Sequence, residues 1–144
     1  MPESCRALEW ISYGSNVYNA FVPFYANISR TPDYMSCTPK EVSTESFYWV
    51  NRMIAAMADP FFNLTGQVIA RYQFAVQSKG WAEINRTDAL VLENQWCYED
   101  ATPALDQAND DIAAMLRQET EQYLDKILYT ASCGMRNSFS LSDY

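Results

Sequence analysis

Apolar residues recur at intervals of three and four over residues 43–58, where Phe47, Val50, Ile54 and Met57 fall on one side of a helix that Asp59-Pro60 closes. A second helix is predicted over residues 60–78, burying Phe61, Val68, Tyr72 and Ala75 or Val76, with Gly80 as its C-terminal cap. The clearest period runs over residues 103–132 through Leu105, Ala108, Ile112, Met115, Leu116, Leu124, Ile127 and Leu128, and Gly134 stops it. Its acidic start (Asp106, Asp110, Asp111) and basic end (Lys126, Arg136) complement a helix dipole. Residues 81–101 carry no clear period, and a short helix over 88–93 is the one element read there.

Ahead of Thr31 the pattern changes. Residues 10–34 hold seven aromatic side chains and no lysine. Two strands are predicted, over 7–13 and 17–25, with Gly14-Ser15-Asn16 as the turn, and Trp10, Tyr18, Phe21 and Phe24 as core. A hairpin alone is marginally stable in water, so it must lie against the helices that follow. Thr31-Pro32, Thr38-Pro39, Asp59-Pro60 and Thr102-Pro103 each suit a helix start, and Thr38-Pro39-Lys40-Glu41 adds the acidic residue of a capping box. The fold class is therefore α+β: an N-terminal β-hairpin packed on a mainly α-helical remainder. Residues 1–144 read as a single domain with a strand region over 1–30 and a helical region over 31–144, and the polar tail frays.

With 49% apolar residues the chain is far from disordered. The net charge of −8 is concentrated, since residues 81–125 carry eleven Asp or Glu against Arg86 and Arg117, so binding to a phosphate backbone is excluded and a solvated helix face expected. No apolar run approaches the roughly 20 residues of a membrane span, and the N-terminus lacks a signal-peptide layout, which points to a cytoplasmic protein without membrane contact. Cys5, Cys37, Cys97 and Cys133 form no Cys-x-x-Cys pair, so reduced, mostly buried thiols are expected rather than a metal site. Four glycines make no phosphate loop, and no cofactor is expected.

The chain has no histidine, which removes Ser-His-Asp and Cys-His catalysis. N-terminal-nucleophile hydrolases need none, because the nucleophile's own α-amine acts as base. Cys5, placed at the start of the first strand, is read as a core thiol rather than such a nucleophile.

The segments "LEWISYGSNVYNAFVPFY", "SFYWVNRMIAAMADP" and "FFNLTGQVIARYQFAVQ" together resemble the C-terminal half of bacterial cysteine dipeptidases of the PepD type, relatives of the secernins. The resemblance is carried by Trp10, Gly14, Val22, Pro23, Phe24, Tyr25, Ser46, Tyr48 and Trp49 and covers about residues 5–80. It implies a piece of an αββα N-terminal-nucleophile fold that hydrolyses dipeptides. Nothing here matches the family's Cys-led catalytic motif, so no catalytic residue carries over. The partners implied are a dipeptide substrate and the N-terminal catalytic half of the same enzyme. Tyr13, Asn16 and Tyr25 are the groups that would orient a substrate amide in the pocket wall. If the hairpin belongs to a larger sheet, its outer edge has unpaired N–H and C=O groups, and the chain is expected either to form a homo-oligomer through that edge or to gain stability when the N-terminal half is supplied. The rival reading is a helical interaction or dimerisation module without activity.

Overall fold

The computed structural model describes residues 2–36 and 38–135. A 3₁₀ turn over Glu3–Cys5 leads into β1 (Leu8–Ile11), which pairs antiparallel with β2 (Val22–Tyr25) in a two-stranded sheet. Four helices follow: α1 (Asp33–Ser36), α2 (Phe47–Ala58), α3 (Phe62–Glu93) and α4 (Tyr98–Gly134). The α+β class and the mostly helical character stand as expected.

The two long helices form a hairpin joined through residues 94–97, where Gln95 takes a φ of 53°. Its interior includes Tyr72 and Tyr123, stacked with centroids 4.2 Å apart, and the Tyr72 and Thr120 hydroxyls lie 3.0 Å from each other. Phe47, Val50 and Ile54 of α2 are fully buried in the same core as Leu105, Ile112, Leu116 and Ile127 of α4. The predicted stripes on these two helices are the ones that pack, except that Leu128 is exposed.

The middle of the chain departs from the sequence reading. Residues 81–93 continue α3 without a break, and Gly80 is not a cap. The buried series Thr65, Ile69, Tyr72, Val76, Gly80, Ile84, Thr87 and Val91 keeps helical spacing throughout. Gly80 is a contact position: a Cβ added there would lie 2.9 Å from Pro23 Cδ, so the missing side chain lets β2 lie directly on the helix. Helix α4 starts at Tyr98, with Glu99 and Asp100 in its first turn, and Pro103 is inside it. It is the sixth residue of the helix, beyond the first turn, and forfeits the bond its N–H would have given to the Glu99 carbonyl. The Thr38 capping box is unused, since residues 38–46 form no helix and α2 begins after Ser46. Arg136 and the polar tail lie outside the described residues, as does Cys37.

The strands are shorter than predicted. Residues 12–21 form a folded connection in place of a three-residue turn, with Gly14 at φ +78°. The Tyr18 hydroxyl donates to Asp59 Oδ1 at 2.5 Å, the Tyr123 hydroxyl donates to the Tyr18 carbonyl at 3.0 Å, and Gln73 Nε2 donates to the carbonyls of Val17 and Asn19. Those bonds tie residues 17–19 to the helices and remove them from the ladder. Tyr18 and Phe24 are core, but Trp10 and Phe21 are exposed, which corrects two of the four aromatic assignments.

Candidate functional site

The polar groups of the interior gather where β2 crosses the helical hairpin. Tyr25 ends the strand. Its N–H donates to Asn109 Oδ1 at 3.0 Å and its carbonyl accepts from Asn109 Nδ2 at 2.9 Å, so a single side chain on α4 satisfies the backbone edge as a neighbouring strand would. The Tyr25 hydroxyl has one proton and two acceptors, Asp88 Oδ1 at 2.7 Å and the Ile84 carbonyl at 3.0 Å. Burial, followed by the Asp88 bond and charge, pushes this phenol far above its ordinary range.

Cys5 is fully buried beside the same carboxylate. It lies in the turn before β1, not in a strand. Burial first and the Asp88 charge second push its thiol up to about 11, so it stays protonated at neutral pH and is a poor nucleophile. The turn is anchored by Asn27 Nδ2, which donates to the Ser4 carbonyl at 2.5 Å, and by the Ser4 hydroxyl on the Trp96 carbonyl at 3.4 Å. Cys97 and Cys133 are exposed, so the expectation of mostly buried thiols holds for Cys5 alone among the described cysteines.

One recess touches this junction, and two others lie elsewhere along the helical hairpin. A cavity of about 40 Å³ on the far face of the sheet is lined by Ile11, Phe24, Tyr25, Met35 and Asn109 among others, and it has room for about one water at ~30 Å³ each. A groove of about 210 Å³ between α3 and α4 has Arg71 and Lys126 on its rim and Tyr72 and Tyr123 in its wall. An open groove of about 570 Å³ lies between the N-terminal turn and the α3–α4 connection, lined by Glu3, Ser4, Leu92, Trp96 and Tyr98 among others, and is large enough for a small ligand.

Tyr13, Asn16 and Tyr25 do not converge on one of these recesses. The Tyr13 hydroxyl donates to the Met35 carbonyl at 3.0 Å, and its ring lies against Phe47. Asn16 is exposed in the connection. Tyr25 is fully buried, and its hydroxyl proton is directed at Asp88 and the Ile84 carbonyl. Asn109, Asp88 and Gly80, which organise the junction, were missed. Asn109 had a signal: it falls four residues after Leu105 on an otherwise apolar stripe, and a polar group there needs a partner. The acidic run makes surface pairs: Asp106 accepts from the Ser29 N–H and hydroxyl, Asp110 pairs with Arg30 and Glu119 with Lys79.

The model of Peptidase family C69 matches residues 1–75, which span β1, β2, α2 and the first part of α3. The chain belongs to peptidase family C69. The match includes the turn, the sheet and Tyr25, but stops short of Asp88 and Asn109. This family member is similar along 99% of its length to a probable dipeptidase A of Streptococcus pyogenes serotype M18, with 38% identity over 142 residues. It is 33% identical over 179 residues to a dipeptidase of Bifidobacterium longum and 24% identical over 143 residues to a probable dipeptidase B of Lactococcus lactis. The chain spans 29% of the first and third of these relatives and 34% of the second.

Proposed function

We propose that the chain is the C-terminal part of a cytoplasmic dipeptidase that hydrolyses dipeptide amide bonds by cysteine N-terminal-nucleophile catalysis, with the nucleophile on chain outside these residues. The observation that carries this reading is the similarity along 99% of the chain to proteins named as dipeptidases. In the proposed reaction a thiolate elsewhere attacks the dipeptide carbonyl, and the amine leaves with a proton. Water then releases the acid from the thioester and restores the thiol. The buried, protonated Cys5 supports placing the nucleophile outside this chain.

Residues 1–144 then act as one unit within an αββα enzyme, the strand region 1–30 forming pocket wall and the helical region 31–144 its buttress. In that assembly Asn16 is free to meet substrate, while Tyr13 and Tyr25 fix the wall behind it. The expected outcome is that the purified chain leaves Ala-Ala intact, whereas the intact S. pyogenes relative hydrolyses it and loses that activity on thiol alkylation. Turnover by the 144-residue chain that survives replacement of all four cysteines by serine would overturn the proposal.

A further inference from the structure

The two edges of the sheet differ. The β2 edge is closed, because Asn109 takes both backbone groups of Tyr25. The register fixes which groups of β1 point the other way. Leu8 faces Tyr25 and Trp10 faces Pro23, whereas Glu9 faces Phe24 and Ile11 faces Val22. The Ala26 N–H donates to the Ala7 carbonyl, so 7 and 26 are a hydrogen-bonded pair, and bonded and non-bonded pairs alternate along an antiparallel ladder. Leu8 and Trp10 therefore sit in non-bonded pairs. Their backbone groups are directed away from β2: the Leu8 carbonyl and both the N–H and C=O of Trp10. The Leu8 N–H already donates to Arg6.

Beside that edge lies apolar surface that the described residues leave exposed. Trp10 stacks on Trp81 of α3 at 5.9 Å, yet the two remain 47% and 42% exposed. Phe74, seven residues before Trp81 and so on the same side of α3, is 74% exposed. Unpaired backbone groups next to exposed aromatic rings form a template for an added strand.

We propose that β1 is an internal strand in the parent protein: a β-strand from the portion of the dipeptidase outside this chain pairs with the outer edge of β1 through Leu8 and Trp10 and covers the Trp10–Trp81 stack. This rests on the reading that the chain is part of a longer enzyme, and the occupant follows from the 71% of the S. pyogenes relative that the chain does not span (100% less the 29% covered). The sheet extends in one direction only, away from Asn109.

Residue-resolved hydrogen exchange tests it, read on the Trp10 amide of the 144-residue chain and on the aligned amide of the intact S. pyogenes relative. The aligned amide is expected to exchange at least ~100-fold more slowly than Trp10 in the isolated chain, as a ladder amide does beside an open edge. In the relative, proline at that position should abolish folding or activity, whereas valine, which keeps the N–H, should retain activity within about tenfold. Fast exchange in a relative that hydrolyses Ala-Ala overturns the strand pairing and leaves the dipeptidase reading standing. A slow amide in a relative that hydrolyses no dipeptide supports the pairing and sinks the other reading. Concentration-dependent protection of Trp10 in the isolated chain would name a second copy as the occupant and contradict the proposal.

Discussion

The α3–α4 hairpin and the two-stranded sheet are built from one chain but are completed to different degrees. The interior of the hairpin closes on itself: its tyrosines stack, Thr120 meets Tyr72, and α2 packs on the buried stripe of α4, although Phe74 and Trp81 of α3 stay exposed. The sheet is completed on one side only, by a side chain, and ends on the other in half-exposed tryptophans. A helix satisfies its own backbone, so an isolated helical layer can be complete. A strand leaves the backbone groups of its outer edge unpaired until another strand, a side chain or water meets them.

The largest expected effect comes from opening the closed edge. Asn109→Leu would leave the buried N–H and C=O of Tyr25 without partners, at about 1–3 kcal/mol each, for a total near 3 kcal/mol and a fall in Tm of about 10 °C. Asn109→Asp keeps the acceptor for the Tyr25 N–H but sets a buried carboxylate oxygen against the Tyr25 carbonyl, so it should cost at least as much at neutral pH and recover at low pH, where a protonated acid can donate to that carbonyl. A melting temperature unchanged in both variants would show that the edge is not sealed by this residue.

Two glycines of the same helix should respond in opposite directions. Gly66→Ala meets no atom within 4 Å and should stabilise by up to about 1 kcal/mol through helix propensity. Gly80→Ala gains the same propensity, but its Cβ would lie 2.9 Å from the rigid ring of Pro23, and overpacking of that kind costs about 1–3 kcal/mol, leaving a net loss of roughly 1 kcal/mol. Equal shifts in chemical denaturation would mean that β2 does not rest on α3 at this point.

The pH response separates the interior from the surface. Burial raises Cys5 from 9.0 to about 11 and Tyr72 to about 12, and lifts Tyr25, Tyr34 and Tyr123 further. Each group is neutral in the fold and ionises at lower pH when unfolded. Their stabilisation is therefore complete below pH 9 and is lost as pH rises, first through the 9 to 11 window of Cys5. Denaturation midpoints from pH 7 to 11 should stay level and then fall, and Cys5→Ala should remove the earliest part of the fall. A profile identical to that of the parent chain would mean that Cys5 is not buried next to Asp88.

An effect no larger than these concerns Asn51, fully buried on α2 with neither amide atom hydrogen-bonded among the described residues. Asn51→Leu removes the unsatisfied group and should stabilise by about 1 kcal/mol, read as a rise in denaturation midpoint.

The parts of the fold that were legible share a physical basis. Phe47, Val50 and Ile54, and Leu105 through Ile127, repeat apolar side chains at helical spacing, and burial by neighbours did not alter that local signal. Gly80 and Pro103 misled because their local preferences favour boundaries, whereas their roles here are set by contact with Pro23 and by distance from the helix start. Residues 17–19 leave the ladder because Gln73, Tyr123 and Asp59 hold them, and those partners are 41 to 105 residues away in sequence. The same holds for the junction. Tyr25 was visible as an aromatic at a strand end, but its engagement by Asp88 and Asn109 depends on helices folded 63 and 84 residues later.

The most direct test compares two amides on opposite edges of the sheet in the isolated chain. Tyr25 N–H, held by Asn109, should exchange about 100-fold more slowly than Trp10 N–H, which is directed outward from β1. Equal and slow exchange at both positions would show that the sheet is already closed on each side, and would contradict the account of an open outer edge on β1.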